Sequence, residues 1–483
     1  MKGQAKSGFL KRRLESIVRL WGGMADDEYD RETAKLRPYL PPEDRPALLE
    51  KMRQCLDPGG GEILARAQAA ALGHTYMALN SEGRAQFLRI LAREFDIRHA
   101  DVTEALERWS NADSPESRRH ARLAVKRAIE SPRSRILTRF NALPQGVKFL
   151  VDMRSDLLPL ISDDADLASL DDDIRDLLTT WFDVDFLELR RISWDTATGA
   201  LLEKFMAYEA VHPVESWEDL KDRLDYDRRY FAFFHPRMRD EPLIFLEVAL
   251  VRNLAASIQD LLDPNAPTTE PDNADTAIFY SISNAQRGLV GVSFGGFLIK
   301  RVVDALATEF PKLKTYATLS PLPGYIPWLR EVWAKDGGIG ASEIPDVQLF
   351  QPSEQKRIAR LDVEQDPREW LLSVVTDNTW LDHPDLENAV RPILLRLAAE
   401  YLVRERREDG GALDPVANFH LSNGASLHRL NWAGDISEKG LEQSAGIMAN
   451  YLYDDRKIEE NHEAYRSRGT VASSVSVRTL LKD

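Results

Sequence analysis

The chain has 483 residues, 43% of them hydrophobic, and a formal net charge of −15, which allows more than one sizeable core. That charge argues against nucleic acid as a main partner, yet a few amides and cations could still hold an anionic ligand. The single cysteine, Cys55, excludes an intramolecular disulfide framework and suits a reducing compartment, and no apolar run reaches membrane-spanning length.

In chain order, residues 1–23 are basic and mildly amphipathic, with Phe9, Leu10, Leu14, Val18 and Leu20 available to one face. An ordinary first helix is preferred to a transit peptide, because Glu15 intervenes and no cleavage site is evident. From Phe9 to Phe182 the pattern stays helical. Ser114-Pro115-Glu116 predicts a helix start for the run through Ile129. Asp101 opens another helix, 81–95 is amphipathic, and an acidic stretch at 162–173 caps a helix to Phe182. Nothing in this part carries chemistry. Near Asp183 the composition turns mixed, which sets domains of 1–183 and 184–483. Strands follow at 186–194, 230–234 and 243–251, and a proline-rich polar loop spans 263–275.

The most informative stretch is 277–325. Residues 277–283 read as a buried strand, and four glycines follow: Gly288, Gly291, Gly295 and Gly296. The next helix carries Ile299, Val302, Val303, Leu306 and Phe310 on one face. Residues 314–320 alternate like a second strand, which Pro321 stops. Three readings of the glycine loop stand side by side. It can be a tight strand–helix connection, or a nucleophile elbow built on Gly291-Val-Ser293-Phe-Gly295 with His420 as base. It can also be a phosphate site, where amides and a helix N-terminus meet a pyrophosphate. Beyond Tyr325 a helical insertion runs to about residue 408. Residues 416–420 and 425–432 flank Asn423-Gly424 as a hairpin, and 437–453 reads as mostly helical.

Several long motifs occur in one order: EAVHPVESWEDLKDRL, FFHPRMRDEPLIFLEVALV, FYSIS, GLVGV, FPKLKTYATLSPLPGY, DPVANFHLSNGA and GIMANYLY. Together they resemble the malonyl-CoA decarboxylase family across residues 187–453. The loop from Gln286 to Gly291 is similar to the acyl-CoA loop of GNAT-type acetyltransferases. The resemblance implies an α+β multidomain chain: an all-α bundle for self-association, then a GNAT-like mixed α/β domain that binds acyl-CoA. It implies a lyase that converts malonyl-CoA to acetyl-CoA and CO2 without cofactor or metal. Gly288, Val290, Gly291, Val292, Ser293, Phe294, Gly295 and Gly296 would hold the CoA part. Ser320 would contact the malonyl carboxylate and accept a proton, His420 would protonate the enolate, and Tyr453 would orient His420. His212, His235 and His428 are alternates for the acid. Where the family can carry glutamate in G-V-E-x-G, this chain has Ser293. Alternatives are a GNAT-type acyltransferase, a non-catalytic malonyl-CoA-binding regulator, or a serine hydrolase using Ser293. The chain ends Leu-Leu-Lys-Asp rather than Ser-Lys-Leu, so cytoplasm is the expected location.

Overall fold

The computed structural model describes residues 36–57, 59–182, 187–224, 226–266, 269–292, 298–335, 350–361 and 366–482. Residues 1–23, the boundary expected at Asp183, and Ser293, Phe294, Gly295 and Gly296 lie outside these. Two compact units divide the chain.

The first unit takes in Met1–Glu188, Phe233–Leu243 and Asn284–Phe294. Its helices are α1 (Arg45–Leu56), α2 (Glu62–Ala78), α3 (Ser81–Glu94), α4 (His99–Ser110), α5 (Pro115–Ala128), α6 (Pro132–Asn141), α7 (Gly146–Leu157) and α8 (Ala165–Trp181). The sequence explains their starts. Ser114 closes a capping box with Ser117 ahead of Pro115, and Asp164 accepts from the Asp166 amide at the head of α8. Helix α4 begins two residues before Asp101, which sits in its first turn. Arg133 and Arg154 are buried and each is paired: Arg133 with Asp173 and Asp96, Arg154 with both oxygens of Asp171. A buried guanidinium stays buried only when it is matched in this way. Arg154 also donates to the carbonyls of Gly288 and Val290, at 2.8 and 2.7 Å, which is one reason that this late loop belongs to the helical unit. Gly288 lies so close to α7 that a Cβ would sit 1.8 Å from the Val151 carbonyl oxygen. Its bare backbone therefore serves packing.

The second unit comprises Leu189–Ala232, Ile244–Ser283 and Gly295–Asp483. Its strands are β1 (Glu188–Ile192), β2 (Arg228–Phe234), β3 (Pro242–Val251), β4 (Thr276–Asn284), β5 (Thr315–Thr318), β6 (Ser320–Pro321), β7 (Ser426–Asn431) and β8 (Met448–Leu452). They form one sheet in the order β1-β2-β3-β4-β5-β8-β6, with β7 also on β8. Strands β4 and β5 are parallel, and the helix α9 (Leu298–Glu309) lies between them in sequence. Parallel neighbours need such a crossover. Strand β8 runs antiparallel to β5, β6 and β7. The sheet is mixed, and with the helical unit it makes the chain α+β. One face buries Ile278, Tyr280, Ala317, Leu319 and Met448 together. Between β6 and β7 come α10 (Tyr325–Lys335), α11 (Pro352–Ile358), α12 (Pro367–Thr376), α13 (Pro384–Val403) and α14 (Pro415–Ser422).

Two sequence expectations fail in this unit. The hairpin around Asn423-Gly424 does not form: residues 415–422 are α14, and β7 pairs with β8 instead. Asp414 caps this helix and Pro415 takes its first position, a start signal that outweighs the short β-like pattern. Gly424, with φ of +82°, ends the helix rather than turning a hairpin. Residues 448–452, expected to be helical, are the central antiparallel strand β8. Every residue from Met448 to Tyr451 is buried, so the segment lacks the polar face that would have marked a strand.

Candidate active site

The site is assembled from β5, β6, β8 and α14. Leu319 bonds the Phe279 carbonyl through its amide at 3.0 Å, which keeps the chain in the sheet between β5 and β6. Thr318 and Ser320, two residues apart on an extended chain, therefore point the same way. Ser320 pairs with Ala449 of β8, and Tyr451 of that strand and Tyr453 just beyond its end are buried as well. His420 comes from α14. Its imidazole stacks on the Tyr451 ring, with centroids 4.6 Å apart and planes 26° from parallel.

The three residues that sequence assigned to catalysis meet here. Ser320 Oγ lies 3.1 Å from His420 Nε2, and His420 Nδ1 lies 2.8 Å from the Tyr453 hydroxyl. Ser320 Oγ also donates to Thr318 Oγ1 at 2.8 Å, which accepts the Tyr451 amide as well, at 3.1 Å. Thr318, Ser320, His420, Tyr451 and Tyr453 are all buried. Burial alone pushes the imidazole down to about 3, so His420 is neutral at physiological pH. Burial likewise holds the Tyr453 hydroxyl well above its ordinary range. The result is a chain of neutral hydrogen-bonding groups, able to hand over a proton and refill it from the far end.

Asp414 holds the helix in place. Its carboxylate accepts from the amides of Val416 and Ala417, both at 2.9 Å, and from the Tyr401 hydroxyl at 3.2 Å. Burial raises its pKa against the pull of those donors. Gly324 makes room beside it: a Cβ there would sit 2.2 Å from the Tyr401 oxygen.

The other histidines are placed differently. His235 has Nε2 3.1 Å from the Trp181 carbonyl and Nδ1 accepting the Arg237 amide. His212 is buried, and burial pushes it down to about 4. His428 is part-buried on β7. None of them meets Ser320. Of the loop residues, Val290 and Gly291 are exposed, Gly288 and Val292 buried, and Gly291 adopts φ of +75°, a conformation that favours glycine. Thr318, Asp414 and Tyr451 were not singled out from sequence. Their signals were local: Thr318 is two residues before Ser320, Tyr451 two before Tyr453, and Asp414-Pro415 is a helix start.

Comparison with known proteins gives one family. Residues 185–483 match the model described as malonyl-CoA decarboxylase C-terminal domain, and residues 95–182 match the malonyl-CoA decarboxylase N-terminal domain. "Malonyl-CoA decarboxylase, mitochondrial" of Anser anser anser is 33% identical over 99% of this chain and 92% of its own. The Rattus norvegicus protein of the same name is 36% identical over 82% of both. A crystal structure of malonyl-CoA decarboxylase from Rhodopseudomonas palustris superposes with a TM-score of 0.79 at 40% identity, covering 90% of this chain and 99% of that one.

Proposed function

The chain belongs to the malonyl-CoA decarboxylase family, and from that premise we propose how its residues divide the conversion of malonyl-CoA to acetyl-CoA and CO2. Breaking the bond to the carboxylate sends an electron pair into the thioester, and the resulting enolate must be protonated at carbon. Ser320 hydrogen-bonds the malonyl carboxylate and keeps it out of the thioester plane. His420 gives its Nε2 proton to the carbon that CO2 has left. The Tyr453 hydroxyl supplies Nδ1 as that proton departs, and once a solvent proton returns to Nε2, Nδ1 hands its proton back to Tyr453. A neutral imidazole suffices as donor, because a thioester enolate is a far stronger base; neutral histidine serves as electrophile in other enolate chemistry. The observation that carries this reading is the closed, buried chain from Ser320 through His420 to Tyr453.

The glycine loop at residues 290–296 is assigned to the CoA pyrophosphate, a role suited to backbone amides and a left-handed Gly291. The mechanism assigns no step to a metal or a further cofactor. For self-association we propose the helical unit, and for location the cytoplasm, although the vertebrate relatives are named as mitochondrial. Among the described residues no helix is long and apolar enough to cross a membrane.

The test is turnover of malonyl-CoA by the purified protein. Acetyl-CoA and CO2 should form in equal amounts with no amine present. Release of free CoA only when an amine is added would instead make the protein an acyltransferase.

A further inference from the structure

The hydrogen-bond chain at the site has a direction, and a residue outside the catalytic three sets it. Ser320 donates its hydroxyl proton to Thr318 Oγ1 at 2.8 Å. The Tyr451 amide donates to the same oxygen at 3.1 Å. Thr318 is fully buried, and Asn450 Nδ2 ties down its carbonyl at 2.7 Å, so this acceptor is fixed on a held strand end.

A hydroxyl has one proton to give. With Ser320's proton committed to Thr318, the 3.1 Å contact to His420 Nε2 requires Nε2 to carry the hydrogen and Ser320 oxygen to accept it. A neutral imidazole carries one N–H, so Nδ1 is bare and accepts from the Tyr453 hydroxyl at 2.8 Å. We propose that Thr318 is a positioning residue that holds His420 as the Nε2–H tautomer, with the transferable proton on the nitrogen that faces Ser320.

This inference rests on His420 as the proton donor to carbon. When a substrate carboxylate leaves as CO2, Ser320 loses that acceptor, and Thr318 Oγ1 takes the hydroxyl proton again at the moment of protonation. Without the threonine oxygen, Ser320 would turn its hydrogen onto Nε2. The ring would then carry its hydrogen on Nδ1, donating to Tyr453, and the nitrogen beside the reacting carbon would have nothing to give.

The experiment uses the full-length protein labelled with 15N-histidine, as wild type, Thr318→Val and Thr318→Ser. His420→Gln assigns the resonances. Valine keeps the shape and removes the acceptor, whereas serine keeps the acceptor. Wild type and Thr318→Ser should show a protonated Nε2 and a bare Nδ1, with similar kcat. Thr318→Val should show the reverse pattern and lose kcat about tenfold, the worth of one net hydrogen bond, with KM little changed. Should Thr318→Val not fold, Thr318→Ala is read in the same way. A valine variant with the wild-type tautomer and wild-type kcat overturns the proposal. Full kcat in His420→Gln would instead sink the role given to His420, while the spectra would still judge the tautomer.

Discussion

At the scale of single residues, the imidazole of His420 decides most. Its folded value of about 3 lies far below the ordinary value of about 6.5 that it regains on unfolding. Between those two pH values the unfolded chain binds a proton that the folded chain refuses. Stability is therefore full above about 6.5 and falls as pH drops toward 3. The loss from this residue amounts to about 2 kcal/mol between pH 6.5 and 5. His212, held to about 4 by burial, adds a loss of the same sign. Denaturation of wild type and His420→Gln at pH 7 and pH 5 should show the shallower pH dependence in the variant. Equal slopes would mean that the folded histidine titrates normally. Catalysis follows the same logic: kcat/KM should show no acid limb near pH 6.5 from this group, and His420→Gln supplies the control.

At the scale of elements, α14 is the piece that brings histidine to serine, and its first turn makes that possible. Replacing Asp414 with alanine removes two amide bonds and strands the buried Tyr401 hydroxyl. A lost cap and an orphaned hydroxyl together cost about 2–4 kcal/mol. Asp414→Asn keeps an oxygen acceptor for the two amides, which both bond Oδ1, and turns an NH2 donor toward the Tyr401 oxygen in place of Oδ2, so it should lose less. Thermal midpoints of the two variants check this, and equal losses would assign the cost to the charge rather than to the cap. The same helix shows what sequence made legible and what it hid. The motifs around Ser320, His420 and Tyr453 singled out three side chains that the fold joins by hydrogen bonds, because each motif is a continuous stretch of chain. Strand β4, helix α9 and strand β5 were also legible, since each shows its own period. The hairpin expectation failed because Asn423-Gly424 has the chemistry of a turn and of a helix end alike. Strand β8 was missed because its two buried faces erase the alternation that betrays a half-exposed strand. Thr318 escaped because a hydroxyl's role lies in its partner, and the partner Tyr451 amide is 133 residues away.

At the scale of the whole molecule, helices α4 and α5 of the helical unit carry none of the residues given a role in the reaction, yet they expose apolar side chains. Helix α4 buries only Ala105 and α5 only Ala121. Leu106, Trp109, Leu123 and Ile129 are 49%, 45%, 43% and 53% exposed. Large apolar residues exposed along one helix pair suit the self-association proposed for the helical unit, and a second copy of this chain is the proposed occupant. Light scattering of the wild-type protein should give a multimer, which Leu106→Glu combined with Trp109→Glu reduces in mass. A monomeric wild type, or a multimer unmoved by the double change, would contradict this. The central claim is that one buried chain protonates carbon after CO2 leaves. Its most direct test compares kcat and malonyl-CoA affinity in wild type and His420→Ala. Loss of the acid should lower kcat by about 10²–10⁴-fold while malonyl-CoA still binds. Full kcat with weakened binding would place the proton donor elsewhere.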